Sequence, residues 1–292
     1  MDGLSTHVRG LLITGLGVLI ITPDSLLIRL ISADPWTLLF WRGLLSAIGM
    51  QFALLILFRR RAWREFKQIG TAGLVLAGIF GIGTVTFIVS ITHTTAANTL
   101  FIVSTSPLFA AFAAWVLMRE PVSLRTWVAM AFSFTGIGVI ASGGLDAGTV
   151  IGNLAALATA VILGASFALV RFHRTRNMVP AMGLSGLVTA LVALPLAQPL
   201  AVNNSDLGYL ALMGLIMLPL SFGLMFVGPR YLPAPEVSLV LLLEAVLGPY
   251  WVWLALGEDP GARTLFGGVI VLATLVAHSA LLLARPIHAG KR

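Results

Sequence analysis

The chain has 292 residues, 58% of them hydrophobic and only 10% charged, with a formal net charge of +7 and no cysteine. A soluble domain carries roughly 25% charged residues to cover its surface, so this composition excludes a water-soluble globular protein. The missing thiols exclude disulfides, thiolate nucleophiles and cysteine-ligated metals. The solvent for most of the surface is therefore lipid, where every backbone polar group must be satisfied within the fold. The apolar runs are about twenty residues long and lack the alternation of a membrane β-barrel, which leaves helices.

A helix needs about twenty apolar residues to cross roughly 30 Å of hydrocarbon. His7 and Arg9 ahead of an apolar stretch imitate a signal peptide, but Pro23, Asp24 and Arg29 continue the segment, and 10–31 reads as a retained first span. Further spans are expected at 36–58, 69–91, 97–118, 126–141, 150–170, 179–200, 207–227, 234–256 and 264–283. In span one, Pro23 withholds an amide from the carbonyl near Leu19, which points to a hinge or a packing bend. Asp24 there and Arg42 in span two fall at similar depth on consecutive antiparallel helices. Intramembrane charges cost about 2.5–3.5 kcal/mol each, so the two are expected to pair, either to hold the helices together or to act in gating.

Trp41 and Tyr250 are deep enough to line a cavity that accepts aromatic groups, whereas most other tryptophans suit the interface. Thr84, Ser104, Ser166 and Ser221 are hydroxyls at inward-capable positions, where such residues also join helices. His93 and Asn98 flank the short turn between spans three and four, as interfacial residues or as ligands. Glu244, near the middle of span nine, is a candidate to bind a substrate ammonium or carry a proton; a neutral acid hydrogen-bonded to a neighbouring helix is the plainer alternative. Glycines such as Gly81, Gly83 and Gly136 suit close helix packing, and no nucleotide loop is present. The basic run from Arg59 to Lys67 reads as an anchor to anionic lipid.

With a cytoplasmic N-terminus, fifteen of the eighteen Lys and Arg residues fall on the inner side, leaving Arg29, Arg42 and Arg263 for the outer. That bias is the positive-inside signal, and it predicts both termini in the cytoplasm. Offsetting the sequence by 138 positions pairs Ala96 with Ala234, Trp115 with Trp253, Glu120 with Glu258 and Arg125 with Arg263; an offset of 142 pairs Arg29 with Arg171. The expectation is two five-span repeats, 1–146 and 147–292. An odd number of spans inverts the second, the usual architecture of alternating-access carriers.

Halves that each close with an apolar helix, a Glu120-Pro121 or Glu258-Asp259-Pro260 turn, an arginine and a glycine-bearing last helix resemble the EamA-type, ten-span branch of the drug/metabolite transporter superfamily. The stretches 106–121 and 244–258 look like that pattern's fourth and ninth helices; Ala245 departs from it where relatives carry proline after the acid. Within the branch the chain is similar to YddG-type amino-acid exporters. The resemblance implies an all-α membrane protein of the bacterial inner (plasma) membrane, exporting amino acids, aromatic ones included, by alternating access through a central cavity. The alternative is proton-coupled efflux of drugs or other metabolites. Expected partners are the small-molecule substrate and the lipid bilayer, without nucleic acid, in a monomer or weak homodimer. No cofactor or metal is expected: five scattered histidines without cysteine make no nucleophile–base set, so an enzyme is not expected. A channel would need charged rings or a carbonyl filter.

Overall fold

A computed structural model describes residues 6–59, 62–119, 124–143, 147–173, 175–228, 231 and 234–283. Glu120, Pro121, Arg60, Arg61, Arg174, Arg230, Arg285, Lys291 and Arg292, which enter the repeat and the charge bias, lie outside the described residues. Every regular element among the described residues is a helix. In order they are α1 (Thr6–Ile21), α2 (Asp24–Leu30), α3 (Pro35–Phe58), α4 (Ala62–Gln68), α5 (Gly70–His93), α6 (Ala96–Val103) and α7 (Ser106–Met118). There follow α8 (Leu124–Ala141), α9 (Ala147–Phe172), α10 (Val179–Ala193), α11 (Asn204–Ala211), a π-helical turn (Leu212–Met217), α12 (Leu218–Val227), α13 (Ala234–Leu256) and α14 (Ala262–Leu283).

Six helical stretches are long and apolar enough to cross a membrane: Val8–Leu30, Pro35–Leu57, Gly70–His93, Ala96–Met118, Gly148–Phe172 and Asn204–Val227. Four shorter apolar helices, Trp127–Ala141, Val179–Ala193, Val240–Leu256 and Ala262–Ala277, lie within the other expected spans. The span expected at 179–200 is corrected by its own prolines: α10 ends at Ala193, because Pro195 and Pro199 cannot continue a helical ladder.

Three stretches are interrupted, each for a local reason. Pro23 separates α1 from α2, and the Leu19 carbonyl it would otherwise orphan accepts a hydrogen bond from Thr22 Oγ1 at 3.0 Å. Between α6 and α7, Ser104 Oγ donates to the Phe101 carbonyl and Thr105 Oγ1 to the Ile102 carbonyl, each at 2.7 Å. These side-chain bonds compete with the backbone ladder, and Pro107 reopens it at the start of α7. The third interruption is the π-helical turn, a local widening that recurs at functional sites.

Elsewhere the helices close tightly. A Cβ on Gly43 of α3 would stand 2.6 Å from the Gly186 carbonyl oxygen of α10, and a Cβ on Gly186 would stand 2.6 Å from that of Gly43. Gly43 also faces Ala190, Gly186 faces Ala47, and Gly183 faces Met50 and Gln51, so α3 and α10 run antiparallel. In α8 and α14, Gly136 faces Val271, Ile140 faces Gly267 and Gly143 faces Arg263, again antiparallel. The packing follows one rule: α1 rests on α12 and α9 on α5; α1 on α13 and α9 on α7; α3 on α12 and α10 on α5. Exchanging the first-half helices for their second-half counterparts maps these contacts onto one another.

Since neither carbonyl at the α3–α10 crossing can retreat without moving its helix, Gly186→Leu is expected to destabilise the fold by about 1–3 kcal/mol, the usual cost of overpacking. Gly78, where an added Cβ meets nothing within 4 Å, serves as the control, and Gly78→Ala should match or exceed the parent. Thermal unfolding of the detergent-purified proteins reads both; equal melting of the two variants would remove the close crossing from the account.

Candidate functional site

Helices from both halves surround a small cavity of about 80 Å³. Its walls are mostly apolar, with Ile21, Phe80, Phe87, Ile162, Phe222 and Leu241 among them; Asp24, Arg42, Thr84, Thr159 and Glu244 supply the polar groups. A smaller space of about 20 Å³ adjoins it, sharing Arg42, Phe80, Thr84 and Phe222 as walls.

Asp24 and Arg42 meet as a two-pronged pair, with Arg42 Nη1 donating to Asp24 Oδ1 at 2.6 Å and Nη2 to Oδ2 at 2.8 Å. Both are almost fully enclosed, at 2% and 3% exposure. Paired guanidinium–carboxylate bonds are the strong form of this contact. Asp24 opens α2 directly after Pro23, so the helix break that frees backbone groups also delivers the carboxylate to the end where helix amides favour negative charge. Met213, from the π-helical turn, abuts Arg42 Nη1. The Arg42 Nε is buried with no hydrogen-bond partner among the described residues.

Glu244 opens on the same cavity from α13, and among the described residues its carboxyl has no hydrogen bond or ion pair. The nearby hydroxyls are already committed as donors or in mutual contact: Thr84 Oγ1 donates to the Phe80 carbonyl, while Thr159 Oγ1 bonds the Ala155 carbonyl and lies 2.7 Å from Thr86 Oγ1. With Asp24 and Arg42 neutralising each other, the Glu244 carboxyl is, among the described residues, the charged group at the cavity left without a partner.

The other expected residues lie away from this group. Ser104 bonds backwards to its own helix, as does Ser166 to the Ile162 carbonyl at 2.8 Å, and Ser221 sits 3.3 Å from Met225 Sδ; all three are buried in helix seams and none lines the cavity. Trp41 donates its indole N–H to the Pro199 carbonyl at 3.1 Å, tying α3 to the segment after α10. Tyr250, expected deep, is 46% exposed on the outer face of α13 beside Trp251 and Trp253; its helix phase turns it away from Glu244. His93 is exposed, with Nδ1 against its own helix at the Val89 carbonyl. Asn98 is buried and accepts from Thr264 Oγ1 at 2.7 Å, joining α6 to α14.

Two features escaped the sequence reading. Along α2, α5, α6 and α13, the buried Ile28, Ile91, Leu100 and Val252 come between the cavity residues and a polar cluster. In that cluster Arg29 Nη2 donates to the Thr94 carbonyl at 2.6 Å and contacts Glu258 Oε1 at 3.3 Å, while Arg29 Nε lies 3.2 Å from Glu258 Oε2. Glu258 Oε1 also accepts the Ala96 amide at 3.0 Å. The signal available in the sequence was the recurrence of Arg29, Ala96 and Glu258 in the repeat offsets. The second feature is Pro249 within α13, which denies the Ala245 carbonyl its helical partner; the bend left in doubt by Ala245 has a proline four residues later.

The sequence profile of the EamA-like transporter family matches this chain twice, over residues 8–142 and 150–279. One solved protein, described only as a crystal structure of protein, is similar in fold with a TM-score of 0.66 at 16% identity, covering 94% of this chain and 99% of that one. No curated protein matches the sequence. Two matches that together span nearly all of the chain place it in its family: this protein belongs to the EamA-like transporters, membrane proteins that carry small solutes.

Proposed function

We propose that the chain carries amino acids and related small solutes, aromatic amino acids included, through a cavity exposed alternately to each side of the membrane. The observation that carries this reading is the free Glu244 carboxyl beside the Asp24–Arg42 pair in an otherwise apolar cavity. A zwitterion with an apolar side chain fits that inventory. Its ammonium meets Glu244, its carboxylate lies toward the Arg42 guanidinium, and its side chain rests on Phe80, Phe87 and Phe222. The family membership, the doubled match and the antiparallel crossings of α3 with α10 and α8 with α14 support two inverted five-span repeats with the solute between them. Inner-membrane residence with cytoplasmic termini rests on the charge bias of the sequence.

Proteoliposomes loaded with a panel of labelled amino acids, with and without an imposed pH gradient, test the reading; saturable flux of at least one apolar or aromatic amino acid is expected, and flux of none would sink it. Glu244→Gln is expected to raise the KM for that solute roughly ten- to hundredfold, the worth of one hydrogen bond to a charged group. The same variant separates the alternative: if Glu244 carries a proton, stimulation by the gradient disappears with it, and if Glu244 only binds ammonium, the gradient acts equally on parent and variant.

The pair itself generates a stability test. Removing one member of a buried ion pair leaves the other uncompensated, at about 3–5 kcal/mol. Asp24→Asn and Arg42→Gln should therefore each lower the melting temperature sharply, and the double variant by less than the two losses combined. Additive losses in that cycle would mean that the two side chains do not act as a unit.

A further inference from the structure

We infer that Arg29, Glu258 and the amide end of α6 form a latch that holds one mouth of the cavity shut. The inference rests on the carrier reading above. Four helices lead from the cavity to this end, and each follows the same order. Asp24, Phe87, Val103 and Glu244 line the cavity; Ile28, Ile91, Leu100 and Val252 come next and are 3%, 0%, 3% and 1% exposed; the latch residues Arg29, Thr94, Ala96 and Glu258 stand beyond them. Buried apolar side chains therefore stand between the cavity and the Arg29 end on each of the four helices, and the latch joins the ends of those helices.

The bonds tie together parts of the chain that must separate for this mouth to open. Arg29 belongs to α2, Thr94 and Ala96 to the α5–α6 turn, and Glu258 to the connection between α13 and α14. Each contact of the latch involves a charged group: three are charge-assisted hydrogen bonds, and the Arg29 Nε–Glu258 Oε2 approach is an ion pair without a hydrogen bond. The Arg29 and Glu258 side chains keep 26% and 24% exposure, so water can enter to replace their bonds when the ends part. A fully buried pair has no such route. Arg171, which the repeat offset pairs with Arg29, makes no side-chain hydrogen bond or ion pair among the described residues; Glu120, which pairs with Glu258, lies outside them. The structure thus has this latch engaged on the Arg29 side.

The chain contains no cysteine, so Thr159→Cys introduces a single thiol on the cavity wall. Its rate of reaction with a membrane-impermeant maleimide, applied to vesicles of either sidedness, reports how often each mouth opens. Adding Glu258→Gln keeps an acceptor for the Ala96 amide and removes the charge that holds Arg29. Labelling from the Arg29 face is expected to rise roughly tenfold, the shift produced by losing one charge-assisted contact. Arg29→Gln should do the same, and the two together should do little more than either alone, as members of one unit. Labelling from that face at the parent rate in both variants overturns the latch; so does an equal rise from Arg171→Gln, which would mark general loosening. Solute flux in proteoliposomes of the parent chain, with Thr159 intact, tests the carrier reading separately. Intact flux with unchanged labelling sinks the latch alone, whereas a tenfold labelling response without flux of any solute leaves the latch standing and sinks the carrier.

Discussion

A carboxylate and a guanidinium reach the middle of a bilayer only together, because each alone costs several kcal/mol in hydrocarbon and has no water to turn to. The Asp24–Arg42 pair, with both oxygens and two nitrogens engaged at 2.6 and 2.8 Å, answers that constraint, and much of the site follows from it. The carboxylate must leave helical register to meet the guanidinium, and the break at Pro23 lets α2 begin at Asp24. The guanidinium must be flanked on its other side by groups that tolerate it, and the π-helical turn supplies Met213 there. Because the two charges cancel, Glu244 is left as the further ionisable group on the cavity wall.

Close packing and loosened helix geometry occur side by side. At α3–α10 and α8–α14, glycine faces bring backbones to a distance that no side chain would permit, and Gly49 of α3 stands as close to the Leu215 carbonyl of the π-helical turn. The breaks at Thr22–Pro23 and Ser104–Thr105 and the π-helical turn fall on helices that lead to the cavity. A regular helix satisfies all its own amides and carbonyls and offers a solute nothing but side chains. An interrupted one exposes backbone groups that neighbours such as the Thr22 hydroxyl must satisfy, and the freed geometry leaves space. Membrane proteins tolerate irregular backbone only where it is buried in protein or lines a cavity, and here it does both.

The sequence made the class legible because lipid imposes a length and a composition that few other environments demand. Asp24 and Arg42 were legible as a pair for the same reason: depth can be counted in residues, and unpaired charge at that depth is costly. Glu244 was visible as a charge at mid-helix, while its lack of partners was not, since that depends on what every neighbouring helix presents. Rotational phase about a helix was not legible: Tyr250 faces outward, and Ser104, Ser166 and Ser221 take the helix-joining one of their two expected roles. An error of one residue turns a side chain by about 100°, enough to exchange the cavity for a seam or for lipid, and a helix apolar on all sides gives no moment from which to recover the phase. The Arg29–Glu258 cluster joins residues 229 positions apart; only their recurrence in the repeat hinted that they belong together.

The cavity and its seal meet on a single helix. On α13, Glu244 faces the cavity, Gly248 packs against Leu100 so closely that a Cβ there would overlap it, Pro249 interrupts the ladder, and Val252 completes the apolar layer beneath Glu258. Without the amide of Pro249, the Ala245 carbonyl is not held to the turn above it, so the part of α13 beyond the proline is the less firmly bound to the part that carries Glu244. A bend at that point would draw Val252 from Ile28 and Leu100 and carry the connection bearing Glu258 away from Arg29, while Glu244 kept its place on the cavity wall. On the carrier reading proposed above, this spacing puts the solute-binding carboxylate and the latch on opposite sides of Pro249.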